Sequence, residues 1–342
     1  MAQGAQILWS RVICKERGRY IGWPTVAKTR SGELLIAFSG DRDEHICPWG
    51  KTELVRSRDG GECWSDPVVI RDSPLDDRDS GIVQTASGTL LVSWFTSLAF
   101  ARDPRWQQHA ASLSSPVRKR WLGNWVQRSE DEGATWGAPI PTVASAPHGP
   151  IQLRDGRLLY LGVGMVRGER TIVAEESADD GRSWQLIGTV SLLDQKARIG
   201  LGEPHLVETC SGKLVGLFRT GPGELQERYL YQSESVDGGK TWTPAYRTPI
   251  LGFPPHLISL PDGRLLVVYG RRFPPYGQWA CISDDAGESW ETRGEFLLSK
   301  APSDDLGYPA SVWLGDGSIL TIYYQIDQPG EATCLMGTKW RF

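Results

Sequence analysis

Residues 203–242 read EPHLVETCSGKLVGLFRTGPGELQERYLYQSESVDGGKTW. Three apolar runs stand in this stretch: Pro204 to Thr209, ending in the turn Cys210-Ser211-Gly212, then Lys213 to Arg219, then Arg228 to Glu234. Short runs bounded by Gly-containing turns predict antiparallel β-strands. The last run leads into an octapeptide of the form S-x-D-x-G-x-x-W, Ser235 to Trp242. It recurs at Ser57 to Trp64, Ser129 to Trp136, Ser177 to Trp184 and Ser283 to Trp290, five copies in all. In such a turn the Asp can accept backbone N–H bonds, the Gly supplies φ > 0 and the Trp plugs the turn onto its sheet, so these residues are expected to be scaffold.

A second signal, an apolar strand running through a Gly turn into another apolar strand, repeats at Gly32, Gly88, Gly156, Gly212, Gly263 and Gly317. The units cover about 23–71, 79–143, 149–192, 204–250 and 256–298, and the sixth holds only Pro309 to Leu314, Ser318 to Tyr324 and Thr333 to Trp340. A fourth strand for that unit has to come from elsewhere, and Ala5 to Cys14 (AQILWSRVIC) has no other place. The expectation is an all-β fold, a six-bladed β-propeller of four-stranded antiparallel blades in one domain over residues 1–342, closed by the N-terminal strand so that open edges are protected. The longest interruption, Thr96 to Leu122 (about 96–122), falls between the second and third strands of unit two. A loop of that length usually covers a site or meets a partner, and its Trp106, Trp121 and arginines could roof a polar ligand; a variable surface insertion is the other reading.

The net charge of −4 and an isoelectric point near 5.8, with no basic stripe, argue against a nucleic-acid footprint or an anionic membrane surface. Arg118-Lys119-Arg120 reads as a solvated loop. No run reaches the length of a transmembrane helix, and the start MAQGAQILWSRV lacks a basic n-region and an apolar h-region, so a cytoplasmic protein is expected unless a signal peptide has been removed. Six scattered cysteines with no CxxC pair read as separate reduced thiols. No cofactor is implied and the oligomeric state is open.

In a propeller the innermost strand of each blade starts beside the central channel. Counting back eight residues from each turn Gly gives Pro24, Ser80, His148, Pro204, Pro255 and Pro309. One residue earlier stand Trp23, Asp79, Pro147, Glu203, Pro254 and Tyr308; one later stand Thr25, Gly81, Gly149, His205, His256 and Ala310. Three of the chain's five histidines (His148, His205, His256) thus share a narrow register with Glu203, Asp79, Arg78 and Tyr308, where a purely structural repeat needs no polar groups.

The octapeptide is the repeat known as the Asp-box, and over essentially its full length the chain resembles the sialidases. In that family a Glu opens blade four in a phrase like E-x-x-V-V-E-L-x-D-G followed by an Arg, to which Glu203 through Arg219 is similar. A Tyr opens the last blade in a phrase like Y-S-x-L-x-x-L-x-D-G, which Tyr308 through Gly317 resembles, and the acid/base Asp lies where Arg42-Asp43-Glu44-His45 stands. The resemblance implies Tyr308 as nucleophile with Glu203 as its base and Asp43 as acid/base, no metal, and Arg219, with Arg271 or Arg272 and Arg42, holding an acidic sugar. An uncharged phenol attacks an anomeric carbon bearing a carboxylate without charge repulsion. Asp79 and the three histidines join as substrate-binding candidates from the shared register. The chain departs from the family at Ile21-Gly22-Trp23-Pro24, where the phrase F-R-I-P supplies one clamp Arg; Arg78 and Arg19 are the candidate replacements. Tyr276-Gly277-Gln278 stands nearer the third family Arg than Arg271 or Arg272 does, and Tyr323-Tyr324-Gln325 lacks the Glu that would orient the missing one.

Three functions remain in play. The first is a retaining exo-glycosidase of sialidase type acting on a terminal acidic sugar of a glycan, with sialic acid as the candidate. The second is another glycan-cleaving enzyme, a glycosidase or lyase, using the histidine cluster, whose imidazoles with a carboxylate could hold a divalent metal. The third is a non-catalytic glycan- or protein-binding propeller, since a fold alone proves no activity. Such a module would not require an acid, a base and a nucleophile together.

Overall fold

The computed structural model describes residues 5–192, 200–221 and 228–342. Its strands form six four-stranded antiparallel sheets. From channel to rim, blade one holds Tyr20–Lys28, Leu34–Arg42, Lys51–Ser57 and Val68–Arg71, and blade two Asp76–Gln84, Leu90–Ser97, Asn124–Ser129 and Ile140–Thr142. Blade three holds Ile151–Gln152, Leu158–Val166, Glu169–Ser177 and Gln185–Val190, and blade four Leu201–Glu208, Leu214–Thr220, Tyr229–Ser235 and Tyr246–Leu251. Blade five runs Pro255–Ser259, Leu265–Arg271, Gly277–Ser283 and Phe296–Lys300. Blade six is Leu306–Trp313, Ile319–Gln325, Cys334–Arg341 and, outermost, Gln6–Cys14. The N-terminal strand therefore closes the ring as expected: Gln6 pairs with Arg341 and Ser10 with Thr338, whose hydroxyls lie 2.8 Å apart.

Period-two alternation of side chains makes each strand serve two interfaces. Leu34, Ile36 and Phe38 pack toward blade six while Leu35 and Ala37 pack toward blade two. Leu265, Val267 and Tyr269 face blade four, and Leu266 and Val268 face blade six. An apolar cluster consequently fills each gap between neighbouring blades. The strands are apolar on both faces for this reason.

The Asp-boxes are the turns between third and fourth strands. Asp237 Oδ1 accepts from the N–H groups of Lys240 and Thr241 at 3.1 and 2.9 Å and from the Ser235 hydroxyl at 2.9 Å, while Trp242 Nε1 donates to Gly239 O at 2.8 Å. Gly239 (φ +94°) is needed twice over, since a Cβ there would stand 3.0 Å from Leu159 of the preceding blade.

The blade-two insertion, residues 98–123, is more ordered than a loop. It contains helices Gln107–Ser112 and Ser115–Trp121, the second capped by Ser114 with Pro116 in its first turn. Among the described residues no helix is long and apolar enough to cross a membrane.

Candidate active site

Four inner strands begin with the same irregularity. Pairing skips two residues between Gly22 and Thr25, Arg78 and Gly81, Gly202 and His205, and Gly307 and Ala310. The first residue skipped is left-handed in every case: Trp23 (φ 54°), Asp79 (52°), Glu203 (40°) and Tyr308 (50°). For a residue with a Cβ this costs on the order of 1–3 kcal/mol, and such strain persists where surrounding structure enforces it. In three of the four the next residue is Pro (Pro24, Pro204, Pro309), which lacks the N–H that a bulge would leave unpaired and disfavours the right-handed helical region in the residue before it. These bulges turn four side chains from the blade interfaces to the channel mouth. In blades three and five Pro147 and Pro254 hold the register, and their rings bar positive φ.

The bulges join Glu203 and Tyr308 across the mouth. The Tyr308 hydroxyl donates to Glu203 Oε1 at 2.8 Å, and Arg219 Nη1 donates to Glu203 Oε2 at 2.6 Å and to the Tyr308 oxygen at 3.3 Å. Burial, reinforced by the charges of Glu203 and Asp79, pushes the Tyr308 phenol well above its ordinary pKa against the pull of Arg219 and Arg272. The resting group is thus a protonated phenol with a carboxylate in line to take its proton. The Arg272 guanidinium lies 5.6 Å from the Tyr308 ring centre and donates to the Tyr324 hydroxyl at 2.8 Å. Arg78 stands 4.7 Å over the Trp23 ring, its Nε without a hydrogen-bond partner among the described residues and its Nη1 3.7 Å from Asp76. Asp79 Oδ1 is also buried and unpartnered; burial pushes this carboxyl up to about 7, against the pull of Arg78.

From Glu203 and Asp79 a cleft of about 370 Å³ runs over Phe95, Asn124 and Arg170, and a second of about 390 Å³ adjoins it along Arg170, Glu203 and Arg219. A larger cavity of about 870 Å³, among Arg30, Asp180 and Arg182, lies at the far ends of the strands near the Asp-box turns, away from this chemistry.

Several expected residues are placed otherwise. Arg42 is fully buried and bound through both terminal nitrogens by Asp76, at 2.6 and 3.0 Å, so it supports the blade and has no face toward a substrate. Arg271 gives its Nη2 to both oxygens of Glu295, at 2.6 and 2.7 Å, and lies 4.2 Å from the Trp279 ring. Its neighbour Arg272 takes the place by the channel, because successive residues point to opposite sides. The Asp43 carboxylate is engaged by Arg19 and, at 2.6 Å, by Trp49 Nε1. Arg19 in turn is held by Asp41 and Asp43.

The three histidines do meet, with ring centroids 4.2 to 5.5 Å apart, but one step further down the inner strands and almost fully buried. They line a separate cavity of about 230 Å³ that follows the strands away from the mouth. Leu257 N–H donates to His205 Nδ1 at 2.9 Å and Ser311 N–H to His256 Nδ1 at 3.3 Å. Those bonds place the ring proton on Nε2 and remove the lone pair a metal would need. Thr25 Oγ1 lies 3.0 Å from His148 Nδ1. Burial holds His205 down to about 3 and the other two well below the ordinary imidazole value. Among the described residues no group of three or more His, Cys, Asp or Glu is arranged to hold a metal. The three imidazoles form a buried, neutral plug of the channel.

A signal missed in the sequence is Gly-x-Pro, which stands at three of the four bulges (Gly22-Trp23-Pro24, Gly202-Glu203-Pro204 and Gly307-Tyr308-Pro309), although it also occurs at Gly137-Ala138-Pro139 and Gly252-Phe253-Pro254. Trp23 also proves central, with its ring centre 6.4 Å from that of Tyr308.

The family described as the BNR repeat-like domain matches residues 112–321. No curated protein matches the chain. Among solved structures, a protein of unknown function from Dyadobacter fermentans DSM 18053 is 25% identical with a TM-score of 0.83 over 99% of both chains. The NanB sialidase from Streptococcus pneumoniae is 14% identical with a TM-score of 0.70, covering 98% of this chain and 70% of the other. The α-L-arabinanase of Penicillium chrysogenum, complexed with arabinobiose, is 15% identical with a TM-score of 0.66 over 98% of both. At 14 and 15% identity the last two show a common fold.

Proposed function

The chain belongs to the BNR repeat-like domain family, and from that premise we propose that it is a retaining glycoside hydrolase that removes a terminal, carboxylate-bearing sugar from a glycan. The observation that carries this reading is the hydrogen-bonded group Tyr308–Glu203–Arg219 at the channel mouth. Propellers of the same shape serve a sialidase and an arabinanase, which supports the glycosidase class without fixing the sugar.

Tyr308 is a poor nucleophile while protonated. As its oxygen closes on the anomeric carbon, Glu203 Oε1 takes the phenol proton, and Arg219 holds the other carboxylate oxygen so that Oε1 stays directed at the hydroxyl. Arg78, Arg219 and Arg272 offer a carboxylate charge-assisted bonds from one side. Sialic acid is the leading sugar, because a neutral nucleophile suits an anomeric carbon that itself carries a carboxylate.

Fluorogenic 4-methylumbelliferyl glycosides of sialic acid, its deaminated relative and the uronic acids, with an arabinofuranoside as neutral control, test this. Turnover of an acidic glycoside that disappears in Tyr308→Phe is the expected result. Turnover of the neutral sugar alone, or full activity in Tyr308→Phe, would overturn it.

A further inference from the structure

His45 lies in the loop between the second and third strands of blade one, at the channel mouth. Its ring meets Trp23 edge-on at 4.9 Å, and Trp23 is the same ring that meets Tyr308. His45 Nδ1 lies 3.1 Å from the Tyr20 hydroxyl, which donates to Asp305 Oδ1 at 2.8 Å. A phenol has one proton to give; with it on Asp305, the Tyr20 oxygen accepts from Nδ1–H. That fixes the neutral tautomer whose lone pair is on Nε2, and the side chain is 44% exposed. Asp43, two residues earlier, has both carboxylate oxygens engaged, one by Arg19 and the other by Trp49 Nε1, which leaves neither turned to a leaving group.

We propose that His45 Nε2, not Asp43, moves the proton at the leaving group, a role that rests on the retaining glycosidase reading. In the first step the Tyr308 oxygen bonds to the anomeric carbon and the glycosidic C–O bond breaks. The phenol proton passes to Glu203, and the His45 imidazolium gives its Nε2 proton to the departing oxygen. In the second, His45 Nε2 takes a proton from water, the hydroxide oxygen bonds to the anomeric carbon, and the C–O bond to Tyr308 breaks as Glu203 returns its proton. The net change is one water added across one glycosidic bond, with the enzyme restored.

The groups facing His45 are Tyr20, Asp305 and the guanidiniums of Arg42, Arg78, Arg219 and Arg272. Burial, then the four guanidiniums, push its pKa down to about 3 in the free protein, so it enters unprotonated. A sugar carboxylate seated on Arg78, Arg219 and Arg272 cancels much of that charge and raises the imidazole's proton affinity, so Nε2 takes a proton from solvent as the substrate binds and returns it to solvent as the product leaves. The acid is thus completed by an acidic substrate and not by a neutral one, and that is a basis for selectivity.

The kinetic test compares 4-nitrophenyl and methyl glycosides of the acidic sugar selected by the screen. In His45→Gln the methyl glycoside should lose about 10²–10⁴-fold in kcat/KM and the 4-nitrophenyl glycoside less than about 10-fold, with azide restoring breakdown of the intermediate. Asp43→Asn should lose a similar small factor on both. Leaving-group dependence in Asp43→Asn, in both variants or in neither overturns the assignment. Nitrogen NMR of ¹⁵N-histidine-labelled protein, with the signal assigned through His45→Gln, reads the tautomer without turnover. A neutral Nδ1–H form at pH 7 that Tyr20→Phe perturbs supports the relay; an Nε2–H form or a charged ring overturns it. If no sugar is cleaved, the glycosidase reading fails while the NMR result still decides the state of His45.

Discussion

Arg42 and Arg78 sit on the two sides of what an arginine can do near this channel. Arg42→Ala would remove the hydrogen-bonded partner of the buried Asp76, leaving only Arg78 at 3.7 Å, and should cost about 3–5 kcal/mol, visible in a melting scan. Arg78→Ala should leave the melting transition near that of the parent and lower kcat/KM for an acidic glycoside by about 10–100-fold, the loss of one charge-assisted bond. Equal melting shifts in the two variants would contradict this division. The buried imidazoles give a second prediction at this scale. His205 is unprotonated in the folded chain until about pH 3 but takes up a proton below about 6.5 when unfolded, so its contribution is complete above 6.5 and falls as the solution is acidified. Asp77 and Asp79, both pushed up to about 7 by burial, work in the opposite sense, so the parent's own profile mixes the two. His205→Gln isolates the imidazole: relative to the parent it should gain about 1.4 kcal/mol per pH unit between 6 and 4 in denaturant titrations. A difference independent of pH would count against a neutral plug. Glu203 and Tyr308 were legible in the sequence because both stand in a register that Gly turns make countable, while Arg219 was legible only through the resemblance to the sialidases. Arg271 and Arg272 were not separable there, since one residue's shift of alternation exchanges channel for rim and only the strand's end in space decides it.

Among the elements, the Asp-box turn was readable to the atom, because its bonds run between residues at most four apart. Thr241, through its hydroxyl and its N–H, pulls Asp237 down to about 2, so this support is present above the ordinary carboxylate range and is lost as pH falls through 2. Trp242→Ala should cost about 2–3 kcal/mol, less than a fully buried aromatic, while the folded fraction keeps its activity. A catalytic defect at unchanged stability would mean the turn does more than hold the blade. The insertion was readable only as a length. Its two helices have six and seven residues, too short for apolar periodicity to declare them. In the fold it reaches to blade one: Trp106 and His109 pack edge-on against Trp49 at 5.4 and 4.8 Å, and Arg105 pairs with Glu44 at 2.7 Å. It therefore braces the loop that carries His45. Trp106→Ala should lower kcat more than it lowers the melting temperature; the reverse would make the insertion mere padding.

At the scale of the molecule the ring was legible because the repeat is arithmetic: five Asp-boxes, six Gly turns and one strand without a home leave a single closed arrangement. The mouth was less so: the column that holds Trp23, Asp79, Glu203 and Tyr308 was countable, but the bulges at which these residues turn left-handed were not. Removing residues 1–14 should expose the edge of Cys334–Arg341 and produce aggregation or a large drop in melting temperature, and an undisturbed transition would refute closure. The same pairing sets an order of events during synthesis. Ser10 and Thr338, which touch in the finished protein, are 328 residues apart. At roughly 5–20 residues per second the first waits on the order of 16–66 s for the second to be made. For that interval Gln6–Cys14 is a strand without a partner, and Ile7, Leu8 and Val12, still half-exposed in the finished ring, lie open to any other nascent chain. A circular permutant that places this segment directly after Arg341 would shorten the wait to the time of one hairpin. It should therefore give a higher soluble yield from the ribosome at an unchanged final stability.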